Sequence, residues 1–210
     1  LCLPMIGLTQ SVPNYVSTNG CTDSLALNFN PSANTDDSTC CGAGISIPFG
    51  TQIGQDIDGL SDDDYAGYSV ALSDNGNILA VGALHDNTYP PNTYGQGITT
   101  GAGAVRVYEN INNNWLQLGQ TIFAEAAGDN SGCSVSLSSD GSILAIGASY
   151  NNGTGTDAGH VRVYQFNGTN WNQIGQDIDG EASYDQSGEF ISLSSNGNVI
   201  AIGATGNDAN

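Results

Sequence analysis

Three aspartates recur at one place in the chain: Asp64, Asp129 and Asp185 each stand three residues before a glycine, in the frame D-x-[SA]-G. A carboxylate repeated once per unit is either a metal or ligand contact copied with the unit, or a cap that satisfies backbone N–H groups at a corner. A residue that every repeat needs favours the second reading. A separate acidic stretch, Gly20 to Gly42, sets Asp23, Asn28, Asn30, Asp36 and Asp37 between cysteines. These are hard oxygen donors with no soft ligand among them, which suits calcium rather than zinc; the competing reading is a solvated loop of Asx-turns. Acid–base and nucleophilic chemistry is poorly provided for. His85 and His160 are the only imidazoles and neither recurs, Cys133 takes the place of Tyr68 and Glu189 in its repeat, and neither H-E-x-x-H nor G-x-S-x-G occurs. The chain therefore reads as not an enzyme. Gly153-x-Gly155-x-x-Ala158 imitates a dinucleotide fingerprint, but a V-R-V-Y strand follows where a helix N-terminus would have to hold pyrophosphate.

Against 21 acidic residues the chain sets only Arg106 and Arg162, for a formal charge of −19. Such a surface repels phosphate backbones and anionic lipids, which excludes nucleic acid and membrane docking as partners and favours cations or a salty medium. The two arginines occupy equivalent strand positions and read as partners of acidic neighbours or as charges that blunt an edge. Leu1 to Leu8 is an apolar run far shorter than the ~20 residues of a membrane span, and residues 1–10 read as the remnant of a secretory signal peptide. Residues 11–20 read as a linker, and the expected location is secreted or cell-surface.

The elements that must position these groups repeat. Ser131 to Ala148, S-G-C-S-V-S-L-S-S-D-G-S-I-L-A-I-G-A, reads as a β-hairpin and recurs as Ala66 to Ala83 and Ser187 to Ala204. Gly67, Gly132 and Gly188 set the unit lengths at 65 and 56 residues, with the nine extra residues of the first unit between Ala83 and Ala104. Asn75-Gly76, Asp140-Gly141 and Asn196-Gly197 read as two-residue turns with positive φ at both positions. Each complete unit offers four strands in the order I-G-Q, S-V-S-L-S, I-L-A-I-G-A and V-R-V-Y. In the third, Ile143, Ala145 and Gly147 form a small face that lets a neighbouring layer approach, opposite Leu144, Ile146 and Ala148. This is the arithmetic of propeller blades. The expected fold is all-β: an incomplete β-propeller of about two and a half four-stranded antiparallel blades, with blade repeats over 45–114, 115–170 and, truncated, 171–210. A small disulfide-stapled module over 21–44 precedes it. Leu27 and Phe29 are too few for a core there, so Cys21 and Cys40, with Cys41 as the rival partner, are expected to close the loop, contributing roughly 3 kcal/mol.

Two resemblances follow from these residues. The 21–44 segment resembles the cysteine-bracketed C-T-D-x-x-A-x-N-Y-N modules of large secreted proteins of marine bacteria, with Phe29 at the tyrosine position. Gly132-x-Ser134-Val135, Ile146-Gly147-Ala148 and Gly159-x-Val161-x-Val163-Tyr164 resemble the FG-GAP repeats of integrin α-subunit propellers. The second resemblance implies a propeller used in cell adhesion. The calcium loop of that family is here cut to a turn such as Ser139-Asp140-Gly141, so its metal site is not carried over.

The long loop Leu84 to Gly103 is where a partner is expected. Tyr89 and Tyr94 offer stacking surfaces, Pro90 and Pro91 restrict the backbone, and Asp86, Asn87 and Asn92 offer polar contacts, a combination suited to an extracellular glycan or protein surface. The sequence thus points to adhesion, surface display or extracellular assembly. The alternatives are an accessory propeller of a secreted carbohydrate-active enzyme and the protomer of an extracellular filament that self-associates through blade edges.

Overall fold

The computed structural model describes residues 19–20, 32, 35–36, 52–87 and 101–208. The chain divides into two compact units, Leu1–Gln52 and Ile53–Asn210. In the first, β1 (Asn19–Gly20) runs parallel to β2 (Thr35–Asp36), with Asn19 opposite Thr35 and Gly20 opposite Asp36. This two-residue pairing does not support a disulfide-stapled module. Cys21, Cys40, Cys41, Asp23, Asn28, Asn30 and Asp37 lie outside the described residues.

The second unit is all-β, with no helix among the described residues. Its first sheet is the antiparallel series β3 (Ala66–Leu72), β4 (Ile78–Ala83), β5 (Ala104–Ile111) and β6 (Asn114–Gln117), with β7 (Ile122–Phe123) paired to the other end of β5. The second repeats it: β8 (Ser134–Leu137), β9 (Ile143–Ala148), β10 (His160–Phe166), β11 (Trp171–Gln173), and β12 (Ile178–Asp179) paired to β10. A third begins with β13 (Ser187–Leu193) and β14 (Ile200–Ala204).

Strand order corrects the sequence reading. The I-G-Q stretches are not strands; the fourth strand of each complete sheet is the tryptophan segment, paired to V-R-V-Y of its own repeat. The cause is local. Asn112 and Asn113 both take positive φ, 54° and 62°, and turn the chain straight back along β5, whereas Gly119 at φ 77° breaks the extended run just beyond β6. The tryptophan segments at 115 and 171 thus close the preceding sheet rather than open the next.

The hairpin turns also differ from expectation. Only the glycines of the Asn/Asp-Gly pairs have positive φ, 72° at Gly76, 73° at Gly141 and 70° at Gly197. Each turn spans four residues and is closed by a serine: Ser138 Oγ accepts the Ile143 N–H at 3.0 Å and donates to Asp140 Oδ1 at 2.7 Å. Ser73 with Asn75 and Ser194 with Asn196 repeat the arrangement. That serine hydrogen bond pulls the Asp140 carboxyl below its usual pKa, aided by Ser142.

The sheets meet through alternating faces. Ala80, Val105 and Val107 of the first sheet and Val135, Leu144 and Ile146 of the second share one core, closed by Tyr164 and Trp171. Truncating the fully buried Leu144 to alanine there costs about 2–5 kcal/mol. On its opposite face β9 presents Gly147, where a Cβ would overlap the Gly188 carbonyl of the third sheet; Gly82 meets the Gly132 carbonyl in the same way. Hydrogen bonds cross both junctions at equivalent places. Ser69 Oγ donates to the Gly132 carbonyl at 2.7 Å and Ser134 Oγ to that of Gly188 at 2.6 Å. Among the turns, the Asp74 N–H donates to Ser139 O at 3.0 Å and the Ser139 N–H to Ser195 O at 2.8 Å.

A tryptophan on the last strand of each complete sheet is clasped by the segment that precedes that sheet. The Trp115 indole donates to the Ile53 carbonyl at 3.1 Å, while the Gln55 side chain takes both the N–H and the carbonyl of Trp115. Leu118, Gly119 and Gln120 do the same for Trp171, with the indole 2.9 Å from the Leu118 carbonyl. Gly54 and Gly119 lie beneath the rings, where a Cβ would come within 2.9 Å of the indole carbon Cδ1 in each case.

Candidate functional site

A cleft of about 730 Å³ runs across the starts of β3, β8 and β13. Its walls include Tyr65, Tyr68, His85, Tyr150, Glu189 and Phe190, with Cys133 between them. Tyr68, Cys133 and Glu189 hold one repeat position, so equivalent places in three successive repeats line the cleft with a phenol, a thiol and a carboxylate. Tyr68 and Phe190 are 62% and 65% exposed, an unusual amount of aromatic surface to leave in water. The His85 ring meets Tyr65 edge to face at 4.7 Å.

The thiol is not set up as a nucleophile. Cys133 Sγ lies 3.5 Å from the Gly188 carbonyl, to which it donates. Burial pushes its pKa up, against the opposing pull of Ser149 and Ser134, so the thiolate is disfavoured.

The repeated aspartates are buried, with 4%, 1% and 4% exposure for Asp64, Asp129 and Asp185. Asp64 Oδ2 accepts the Leu60 N–H at 2.7 Å and Oδ1 that of Ala66 at 3.0 Å; Asp129 accepts from Ala126 at 2.9 Å and Asp185 from Ala182 at 2.8 Å. They cap the corner that leads into the first strand of each sheet. Asn151 adds a bond to Asp129 and Asn207 one to Asp185, whereas Asp129 Oδ1 has no hydrogen-bond partner among the described residues. Burial accordingly raises the Asp129 pKa, against the pull of the Ala126 N–H, Asn151 and His160.

Asp86, expected to offer a polar contact to a ligand, is 1% exposed and forms an ion pair with Arg106. Asn87 is exposed. Tyr89, Asn92 and Tyr94 lie outside the described residues. Leu84 and His85, which precede them in the chain, line the cleft.

A second cluster surrounds Arg162, which pairs with Glu125 and with Asp177, the latter at 3.3 Å. His160, 4% exposed, lies 3.6 Å from Asp177 and 3.9 Å from Asp179. Ligand atoms of Glu125, His160 and Asp177 fall within 4.8 Å of one another, a spacing compatible with a divalent ion. The Arg162 guanidinium already neutralises two of the three, and a dication would have to share their space with it. Burial would raise the Asp177 carboxyl, but the Gln173 amide and the charges of Arg162 and His160 outweigh it and the pKa is lowered. Burial lowers the His160 pKa, and the carboxylates of Asp177, Asp129 and Asp179 offset this only in part. Sequence reasoning missed this cluster because Asp177 and Glu125 come from different repeats; the signal was Arg162 itself, since its counterpart Arg106 faces Asp86 where the second repeat has Asn151.

No protein-family model matches the chain, and no curated protein matches it. Among solved structures it resembles a chain in the complex of KlAtg21 with the coiled-coil of AgAtg16 at a TM-score of 0.43 and 14% identity, over 65% of this chain and 36% of that one. It also resembles Kuenenia stuttgartiensis hydrazine synthase at a TM-score of 0.36 and 12% identity, over 66% of this chain and 45% of that one. The chain thus spans less than half the length of either.

Proposed function

We propose that the chain is a non-enzymatic secreted or cell-surface protein whose propeller-type, FG-GAP-like repeats present a binding cleft for adhesion, surface display or extracellular assembly. One observation carries this reading: the buried ionisable groups close caps and ion pairs, while the cleft is walled by exposed aromatics around a thiol whose ionisation is disfavoured. Aromatic faces with a few polar groups suit the rings of a glycan or the side chains of a protein surface. Charge supports the same reading. Both arginines are buried and engaged with Asp86, Glu125 and Asp177, which leaves the other carboxylates without an arginine or lysine to offset them, and an anionic polymer would be repelled. Calcium held by Asp23, Asn28, Asn30, Asp36 and Asp37 belongs to the proposal on residue types alone.

The test is to replace residues 88–100 with a short Gly-Ser linker, keeping Asp86 because Arg106 depends on it, and to probe arrayed extracellular glycans and matrix proteins. The expected outcome is lost binding with the unfolding midpoint within a few degrees of the parent. Hydrolysis of arrayed glycans by the parent protein would overturn the non-enzymatic reading.

A further inference from the structure

Asn-Gly occurs five times in the sequence, and four of these pairs, Asn75-Gly76, Asn152-Gly153, Asn167-Gly168 and Asn196-Gly197, lie in the second unit. In such a pair the glycine nitrogen can attack the carboxamide carbon of the asparagine before it, because no Cβ obstructs the approach. The nitrogen must first give up its proton, so an N–H already committed to an acceptor is held back from reaction. Three of the four glycines are committed in this way. The Gly76 N–H donates to the Ser73 carbonyl at 2.9 Å, that of Gly197 to Ser194 O at 2.8 Å, and that of Gly153 to Asn151 Oδ1 at 2.8 Å. The Gly168 N–H has no acceptor among the described residues. Gly168 lies in the exposed turn between β10 and β11 with φ 95°, and nothing is within 4 Å of its Cβ position.

We propose that Asn167 is a self-modification site, at which the folded chain converts its own carboxamide to a carboxylate. The Gly168 nitrogen, its proton passed to solvent base, bonds to Asn167 Cγ. The Cγ–Nδ2 bond breaks, and the amide nitrogen takes up a proton and leaves as ammonia, closing a five-membered succinimide. Water then opens either carbonyl–nitrogen bond of the ring to give aspartate or isoaspartate. The geometry at the oxygen favours the attack. Asn167 Oδ1 accepts the Thr169 N–H at 2.9 Å and the Asn170 N–H at 2.8 Å, two donors on the atom that gains negative charge when its carbon is attacked. A single backbone N–H reaches Oδ1 in each of the other three, from Asn77, Asp157 and Asn198. Both products add a carboxylate, and isoaspartate also reroutes the main chain in a turn that the Asn167 N–H closes on Asn170 O at 3.0 Å, directly before the buried Trp171. The first sheet has Ile111-Asn112 at the equivalent place, which confines the reaction to the second. This inference is independent of what the cleft binds.

The test follows the full chain, made in a host that adds no N-linked glycan, through incubation at mildly alkaline pH, with a parallel sample unfolded in urea. Peptide mapping by mass spectrometry reads the loss of carboxamide at each of the four asparagines and distinguishes aspartate from isoaspartate at position 167. Freeing a glycine N–H from its acceptor costs one hydrogen bond, so in the folded chain Asn167 should react about tenfold faster than Asn75, Asn152 or Asn196. In urea the four rates should draw together, because the shared Asn-Gly pair then sets them alone. Asn167 reacting no faster than the other three in the folded chain overturns the proposal. An equal lead for Asn167 in urea overturns it as well, since the lead would then come from neighbouring sequence and not from the fold.

Discussion

Gln120 and Trp171 are hydrogen-bonded twice although 51 residues apart: the glutamine Nε2 donates to the Trp171 carbonyl at 2.6 Å, and its Oε1 accepts the Trp171 N–H at 2.9 Å. A side-chain amide here stands in for a strand. Gln120→Ala removes both bonds at a junction between two sheets and should destabilise the chain by about 1–3 kcal/mol. Gln120→Glu keeps the acceptor and loses the donor, so it should fall between alanine and the parent above pH 6. Urea unfolding of the three proteins checks the order.

The pair Asp86 and Arg106 is almost wholly withdrawn from water, with 1% and 5% exposure. Removing one partner strands the other. Asp86→Ala should cost about 3–5 kcal/mol, whereas the double change Asp86→Leu with Arg106→Met should be much closer to neutral. A double variant as unstable as the single one would show that the loop start depends on the charges themselves.

His160 sets a pH dependence with a definite sign. Its folded pKa lies below the ordinary 6.5 because burial opposes the charged ring. The unfolded chain therefore binds a proton first as pH falls. Its contribution to stability is complete above about pH 6.5 and declines as pH drops toward the folded value. Asp129 acts in the opposite sense at lower pH: its folded pKa lies above 3.8, so stability is lost as pH rises from that value through the folded one. Unfolding free energy measured from pH 8 to 5 should fall for the parent and be flatter for His160→Gln.

One backbone position is occupied by Asp63, Gly128 and Tyr184 in the three repeats, with φ of 61°, 88° and 70°. Left-handed backbone suits only the glycine. Tyr184 is 61% exposed, so Tyr184→Gly gives up little packing and should raise stability by about 1 kcal/mol. A lower melting temperature would mean that the exposed ring is held by contacts that outweigh the strain.

Much of this architecture is legible in the chain because it repeats. The period, the hairpin Ser131 to Ala148 and the small face of Ile143, Ala145 and Gly147 follow from alternation and spacing, and the structure places Gly147 where only hydrogen fits. The fourth strand was misplaced because Trp115-Leu116-Gln117 and the I-G-Q stretch adjoin it in sequence, and only the conformation of Asn112 and Asn113 decides which one pairs with β5. Residue type showed that Asp86 could bind something, not that Arg106 had already taken it. The glutamine clasp was hidden for a related reason: an exposed-looking amide acts as backbone only when the opposite strand stops short of it. Its trace in the sequence was the joint recurrence of W-x-Q and G-Q in both complete repeats.

The proposed binding role stands or falls at the cleft. Tyr68→Ala with Phe190→Ala strips two side chains that are 62% and 65% exposed, so the unfolding midpoint should stay within a few degrees of the parent. Adhesion of the labelled protein to cells or extracellular matrix, titrated for parent and double variant, is the direct measurement. The account predicts at least a tenfold loss of affinity in the variant; equal affinity, with both proteins folded, would contradict it.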